Sequence, residues 1–329
     1  MTRRRLPAEA YVSGVLRGDR AVLARAITLV ERDRPDDEDV AAAVLDEVLP
    51  HAGRGRRVGI TGVPGVGKST FIDALGMHLI REHGERVAVL SVDPSSPISG
   101  GSILGDKTRM ERLALEARAY IRPTPTRGVL GGVARRTRET ILLCEAAGFG
   151  TVLVETVGVG QSETAVRSMT DFFLLLLLPG AGDELQGIKR GIVEMVDAIA
   201  INKADGEMQP QAARARAEYA AALRLFPAAA DGWTAPVVTC SALTGEGIPA
   251  IWEAVVTHHA HMDATGRFAQ QRRQQALTWM RELVGAGLDA AFRRDPVIAS
   301  SLPALEVAVS EGRTTAFAAA RELLALLRR

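Results

Sequence analysis

Short apolar runs alternate with amphipathic stretches between residues 57 and 260, and this alternation predicts a parallel α/β sheet. The run at 172–178 is apolar without a break, which is typical of a strand buried on both faces. The predicted strands are 57–61, 87–92, 151–155, 171–178, 198–201 and 237–240. The predicted helices are 68–83, 135–147, 210–225 and 248–261. The pattern therefore predicts an α/β fold with a doubly wound, mainly parallel sheet.

Helical patterning flanks this region on both sides. Residues 7–50 place Val15, Val22, Ala26 and Leu29 on one helical face, with a break at 33–37 and a second helix from 41 to 49. Beyond residue 263 the strands stop, and helices are predicted at 271–292 and 315–327. The sequence thus divides into a helical N-terminal extension (1–55), an α/β domain (56–262) and a helical C-terminal arm (263–329).

The first helix of the arm carries one continuous apolar stripe. Its members recur at spacings of three and four residues: Leu277, Met280, Val284, Leu288 and Ala291. Such a stripe needs an apolar partner surface, either on the core of the same chain or on a second copy. Both interpretations stay open, and the second predicts a dimerisation arm.

Composition narrows the class of protein. The 329 residues carry 40 Lys plus Arg and 39 Asp plus Glu, a net charge of +1, which argues against a dedicated nucleic-acid binder. Two separated cysteines, Cys144 and Cys240, exclude a disulfide framework and a Cys-rich metal cage, and they indicate a reducing cytoplasmic compartment. No apolar run approaches the roughly 20 residues of a membrane span, and we expect neither a membrane segment nor a secretory leader.

The strongest motif directly follows the first predicted strand and precedes a helix. It fits G-x-x-x-x-G-K-[ST], and it comprises Gly62, Val63, Pro64, Gly65, Val66, Gly67, Lys68, Ser69 and Thr70. The glycines let successive backbone N–H groups converge on phosphate oxygens at a helix N-terminus. Lys68 would neutralise the β- and γ-phosphates, and Ser69 would offer its hydroxyl to Mg²⁺. The alternative is a glycine-rich turn that binds no nucleotide.

A second motif, Asn202-Lys203-Ala204-Asp205, follows the strand at 198–201. The Asp205 carboxylate suits the N1–H and N2–H₂ donors of guanine, whereas adenine would leave this charge unpaired. Asn202 would bridge the loops, the Lys203 stem would lie along the base, and the loop of Ser241, Ala242 and Leu243 would reach guanine O6. A helix cap is the alternative for the tetrapeptide alone. Together the motifs predict GTP rather than ATP.

Between these anchors lie candidate groups for Mg²⁺ and for the attacking water. Glu155 begins an E-x-x-G motif where most signalling GTPases have D-x-x-G, and Gln161 is a candidate for orienting the water. Asp93 and Asp106 are candidates for the Mg²⁺ water shell, because a carboxylate after a parallel strand faces the ligand crevice. For Asp106 the alternative is a cap on the following helix.

The segment 180–190 combines three glycines with mixed charges, which suits either a loop ordered by nucleotide state or a solvated connection. Its candidate switch and partner residues are Asp183, Gln186 and Lys189.

Taken together, these segments resemble the MeaB/ArgK family of GTPases. The resemblance covers most of the chain, and its family-specific evidence is the long segment at 96–110 and the E-x-x-G stretch at 155–163. It implies a homodimeric, Mg²⁺-dependent GTPase with slow turnover alone. It also implies binding to methylmalonyl-CoA mutase or a related mutase, GTP-gated delivery of adenosylcobalamin to that client, and protection or reactivation of the client. Adenosylcobalamin would be bound by the client mutase and not by this chain. Lys189 and its neighbours would form a switch that responds to the mutase.

Three other functions are weighed against this one. A metallochaperone GTPase would need soft or imidazole ligands, and the cluster of His258, His259 and His261 is better explained as an exposed helix end. A kinase would need a catalytic base, and no H-R-D-type loop is present. A module that holds GTP without turnover is the third.

Overall fold

The computed structural model describes residues 5–32, 35–93, 110–125, 130–156, 162–180, 190–225 and 232–326. The chain divides into two compact units, Met1–Arg273 and Gln274–Arg329. The division into three segments that the sequence predicts, 1–55, 56–262 and 263–329, stays a prediction.

A seven-stranded parallel sheet forms the centre of the first unit. Its order is β3-β2-β4-β1-β5-β6-β7, so strand order reverses around β1. This confirms the α/β, doubly wound fold class. The strands are β1 (Arg56–Gly62), β2 (Val87–Asp93), β3 (Ala119–Pro125), β4 (Thr151–Thr156), β5 (Phe172–Leu177), β6 (Ala198–Ile201) and β7 (Val237–Thr239).

The strand β3 is absent from the sequence-based assignment, and its composition explains why. It reads Ala-Tyr-Ile-Arg-Pro-Thr-Pro, with two prolines and an arginine in seven residues. Proline cannot donate to a strand ladder and is confined to edges, which is where β3 lies, beyond β2.

Helices cover both faces of the sheet. Side chains alternate along the strands, so that Val58 and Ile60 of β1 face one apolar core while Ala88 and Leu90 of β2 face the other. The helices of the first unit are α1 (Ala8–Leu16), α2 (Arg20–Val30), α3 (Pro35–Val48), α4 (Lys68–Glu82), α5 (Glu111–Leu115), α6 (Leu130–Ala146), α7 (Ser162–Arg167), α8 (Arg190–Val193), α9 (Gln209–Leu223) and α10 (Ile248–Ala264). Single 3₁₀ turns span Leu49–His51 and Gly206–Met208.

The N-terminal patterning lies on two helices where the sequence suggested one. A turn at Gly18, with φ of 71°, ends α1 and separates Val15 from Val22. The Asp19 carboxylate then caps α2, accepting from the backbone N–H groups of residues 21 and 22. The predicted start of the next helix at residue 41 is also wrong, because Pro35 and three acidic residues form the first turn of α3.

A buried ionic cluster fixes the amino end of the sheet. Arg57 on β1 donates two 2.8 Å hydrogen bonds to Glu145, and Arg272 donates to Asp171 at 2.6 and 2.9 Å. Burial alone would lower the pKa of the Arg57 guanidinium, but the hydrogen bond and charge of Glu145 outweigh burial and raise this pKa. The cluster anchors β1, the strand that leads into the G-x-x-x-x-G-K-[ST] motif (the phosphate loop, residues 62–70).

Helix α11 (Arg267–Arg294) begins in the first unit and continues into the second, followed by α12 (Pro296–Ser310) and α13 (Ala316–Leu326). The predicted helices at 271–292 and 315–327 are confirmed, whereas α12 was not predicted. Its start is signalled locally, since Asp295 caps it and Pro296 opens its first turn. The apolar stripe of α11 is exposed by 46% at Leu277, 53% at Met280, 56% at Val284 and 67% at Leu288.

The two cysteines are buried, as their positions within predicted elements suggested. Burial raises the pKa of the Cys240 thiol to about 12, and it raises the pKa of Cys144 as well. Among the described residues, no helix combines the length and the apolar character that crossing a membrane requires.

Candidate functional site

The phosphate loop occupies the turn between β1 and α4, as its motif predicted. A Cβ atom at Gly62 would lie 2.5 Å from the backbone oxygen of Leu176, so no side chain fits there. Gly67 has φ of 93° and is the N-cap residue of α4, and without a side chain it leaves the first N–H groups of this helix without a side-chain cap. A glycine-shaped turn that leads into an uncapped helix N-terminus is the kind of backbone arrangement at which proteins bind phosphate.

Lys68 directs its ammonium group into the loop. Its Nζ donates to the carbonyl oxygens of Gly62 at 2.7 Å and Val63 at 3.3 Å. Burial lowers the pKa of Lys68, while the nearby carboxylates of Glu155 and Glu163 oppose this shift. The positively charged ammonium group of Lys68 therefore lies within the backbone loop that the glycines shape.

Glu155 is the penultimate residue of β4 and is only 4% exposed. Its Oε1 accepts from Ser69 Oγ at 3.1 Å, and its Oε2 lies 3.5 Å from Ser91 Oγ. A serine hydroxyl and a carboxylate are hard oxygen donors of the kind that Mg²⁺ prefers, so Ser69 and Glu155 fit that cation. Ser91 was not singled out from the sequence.

Asn202 joins the phosphate loop to the loop after β7. Its Nδ2 donates to the backbone oxygen of Val66 at 2.8 Å, and its Oδ1 accepts from the backbone N–H of Ala242 at 3.1 Å. The Cys240 thiol lies 3.6 Å from the same Oδ1. The bridging geometry expected of this amide is confirmed, with the side chain 1% exposed.

Two further residues of the N-K-x-D motif are Lys203, which contacts the phosphate loop, and Asp205, which does not cap a helix. Lys203 adopts φ of 60°, unusual for a residue with a side chain, and its Nζ donates to the backbone oxygen of Gly65 at 2.9 Å. Asp205 is half-buried and precedes a 3₁₀ turn without capping it, so the helix-cap alternative is not realised. Sequence reasoning placed Lys203 along the base but missed its contact with Gly65.

The loop after β7 turns back at the same edge of the sheet. Ser241 is buried, and its Oγ accepts from the backbone N–H of Thr244 at 3.2 Å. Ala242 is buried beside Asn202, whereas the Leu243 side chain is exposed.

Several candidates lie outside the described residues: Asp106, Gln161, Asp183, Gln186 and Lys189. Asp93 ends β2 next to the site, although its side chain is outside the described set. Their expected roles stay predictions.

The histidine cluster is not the exposed helix end that the sequence suggested. His258 is 3% exposed on α10, with its ring edge-to-face against Phe172 and Trp233 and Nε2 3.7 Å from Asp197 Oδ1. This imidazole is used in packing the core, so the cluster gives no support to a metal-inserting function.

A parallel sheet with a G-x-x-x-x-G-K-[ST] loop after one strand and an N-K-x-D loop after another defines a P-loop GTPase. The match to a family model then specifies the class further. Residues 23–296 match the model described as methylmalonyl Co-A mutase-associated GTPase MeaB, and the chain belongs to this family.

Known proteins agree with this assignment. A "Putative GTPase" of Caulobacter vibrioides is 54% identical over 308 residues, 94% of either chain. "GTPase ArgK" of Escherichia coli is 52% identical over 80% of either chain. The mouse "Methylmalonic aciduria type A homolog, mitochondrial" is 45% identical over 95% of this chain and 77% of its own. A crystal structure titled "LAO/AO transport system kinase" superposes with a TM-score of 0.76 at 38% identity, covering 98% of either chain.

The Asn202 bridge leads to a prediction about stability. Replacement Asn202→Ala leaves the carbonyl of Val66 and the N–H of Ala242 buried without their partner, which we expect to lower the free energy of unfolding by about 2 kcal/mol. Urea unfolding of the nucleotide-free protein measures this change. The control is Lys203→Ala, which removes one exposed hydrogen bond and should shift stability by less than about 0.5 kcal/mol. Equal stability of both variants and the wild type would contradict the bridging role.

Proposed function

We propose that this chain is a Mg²⁺-dependent GTPase that binds methylmalonyl-CoA mutase, gates adenosylcobalamin delivery to it, and protects or reactivates it. The reaction hydrolyses GTP to GDP and phosphate. The observation that carries the nucleotide part is the buried Asn202 amide, which holds the phosphate loop and the N-K-x-D loop together as one site. The client comes from the family, whose description names the mutase.

The chain's own residues divide the work on the nucleotide. Backbone N–H groups of the loop from Gly62 to Thr70 receive the phosphates, and Lys68 neutralises the β- and γ-phosphates. Asp205 accepts from guanine N1–H and N2–H₂, and the Lys203 stem lies along the base. The loop at 241–243 offers backbone N–H groups to guanine O6. This division is supported by the half-buried Asp205 carboxylate, which caps no helix.

Ser69 and Glu155 would hold Mg²⁺, with Asp93 and Asp106 in its water shell. The cation, when bound, neutralises charge that develops on the β- and γ-phosphates. Gln161 orients the attacking water. With Lys68 and backbone donors stabilising the transition state, turnover by the chain alone is slow, and a partner that orders the remaining groups accelerates it.

The proposed assembly is a cytoplasmic homodimer with the mutase as client. The exposed apolar stripe of α11, with Leu277, Met280, Val284 and Leu288, supports self-association because a helix of this kind gains stability by covering its apolar face. Asp183, Gln186 and Lys189 form the segment that responds to the mutase. Adenosylcobalamin is bound by the mutase rather than by this chain.

Replacement Asp205→Asn tests whether Asp205 recognises the guanine base. The amide can donate where the carboxylate only accepts, so it favours the O2 carbonyl of xanthine over the N2 amino group of guanine. We expect the binding free energy of GTP to become less favourable by about 1–3 kcal/mol, which lowers its affinity by a factor of roughly 5 to 150. The nucleotide preference of the variant should move toward xanthosine triphosphate. Competition binding with the two triphosphates measures it. Glu207→Gln, an exposed neutralisation two residues away, is the matched control, and unchanged guanine selectivity in Asp205→Asn would refute the assignment.

Cofactor loading tests the client. Cobalamin-free mutase is mixed with adenosylcobalamin and this protein, with GTP, with GDP or without nucleotide, and holoenzyme formation is followed by absorbance. We expect loading to depend on which nucleotide is bound, and we expect Lys68→Ala to remove this dependence while circular dichroism shows an intact fold. Identical loading in all three nucleotide conditions would overturn the gating function.

A further inference from the structure

Ser91 and Glu155 are direct neighbours across the central strands. They pair in register between β2 and β4, so their side chains lie on the same face of the sheet. Ser91 is fully buried, and its Oγ lies 3.5 Å from Glu155 Oε2. The hydroxyl thus contacts the carboxylate that fits the proposed Mg²⁺ site.

The composition of β2 makes this hydroxyl conspicuous. Residues 87–92 read Val-Ala-Val-Leu-Ser-Val, so Ser91 is the one polar side chain among six positions in a strand flanked by β3 and β4. A buried hydroxyl is unfavourable by about 1–3 kcal/mol unless it is hydrogen-bonded, and an apolar residue would pack there without that penalty. The partner that the structure gives to Ser91 Oγ is Glu155.

Glutamate at this place in the motif needs more restraint than aspartate. Its side chain has one further rotatable bond, and a carboxylate at the proposed cation site must be fixed in direction to be useful. The structure holds its two oxygens from two different elements, Oε1 from Ser69 on α4 and Oε2 from Ser91 on β2. The carboxylate is therefore oriented from both sides.

This arrangement also sets the direction of the Ser69 hydroxyl. A serine that donates its proton to Glu155 Oε1 keeps its lone pairs for a cation on the other side. We propose that Ser91 is a positioning residue for the proposed Mg²⁺ site: it holds Glu155 Oε2, so that Oε1 accepts the Ser69 proton and aims the Ser69 lone pairs at the cation. This inference rests on the proposed function, because it concerns the residues assigned there to Mg²⁺.

The test measures cation affinity rather than turnover. Replacement Ser91→Ala is compared with the wild type by titrating Mn²⁺ into the GDP complex and following free Mn²⁺ by electron paramagnetic resonance. We expect the affinity for the cation to fall by about 10-fold, as when a group that orients a metal ligand is removed. GDP affinity in EDTA should stay unchanged, because Ser91 acts through Glu155. In Ser91→Cys, the thiol is a weaker donor of similar size, so the loss of Mn²⁺ affinity should be smaller than in Ser91→Ala.

Two controls separate positioning from a general packing effect. Thr140→Val removes another fully buried hydroxyl, one that donates to the carbonyl of Arg136 within α6, and should leave cation affinity as it is. In a Glu155→Gln background, Ser91→Ala should change cation affinity by less than about twofold, because the partner through which it acts has lost its charge.

Each remaining outcome is decisive. Unchanged Mn²⁺ affinity in Ser91→Ala, or an equal loss with and without Glu155→Gln, would overturn the positioning role while the proposed Mg²⁺ site stands. Wild-type GDP complex that takes up no Mn²⁺ would overturn the proposed cation site and this role together.

Discussion

The site depends on one buried amide. Asn202 directly follows β6, yet it donates to the phosphate loop after β1 and accepts from the loop after β7. Because both amide atoms are used and the side chain is almost inaccessible to water, neither loop can shift without leaving a buried polar group unpaired. The loop after β1 and the loop after β7, which are proposed to bind the phosphates and the base, are thereby held at a fixed distance from each other.

The sheet supplies the frame in which this amide works. Parallel strands present their carboxyl ends at one edge, and the reversal of strand order around β1 opens a crevice there. At the opposite edge, the buried pairs Arg57–Glu145 and Arg272–Asp171 hold the start of β1 and the first turns of α11. Glu155 brings a third strand into the site, linked to α4 through Ser69 and to β2 through Ser91.

Much of this could be predicted because the relevant signals are local. Six of the strands are short apolar runs, and the phosphate and base loops are motifs whose residue types follow from the chemistry of their ligands. The rest depends on tertiary context. The strand β3 was missed because its prolines are tolerated only at an edge, and the burial of His258 depends on Asp197, Phe172 and Trp233, which are far away in sequence. Ser91 belongs to no recognised sequence motif, and its position opposite Glu155 follows only from the register between β2 and β4.

The most direct test of the account is steady-state GTP hydrolysis with Mg²⁺, measured for the protein alone and with stoichiometric methylmalonyl-CoA mutase from the same organism. The proposed mechanism assigns transition-state stabilisation to Lys68, the cation and backbone donors, so the account predicts slow basal turnover that rises about tenfold or more with the mutase. A rate that the mutase leaves unchanged would contradict the proposed partnership, and would leave a GTPase whose client is a different enzyme.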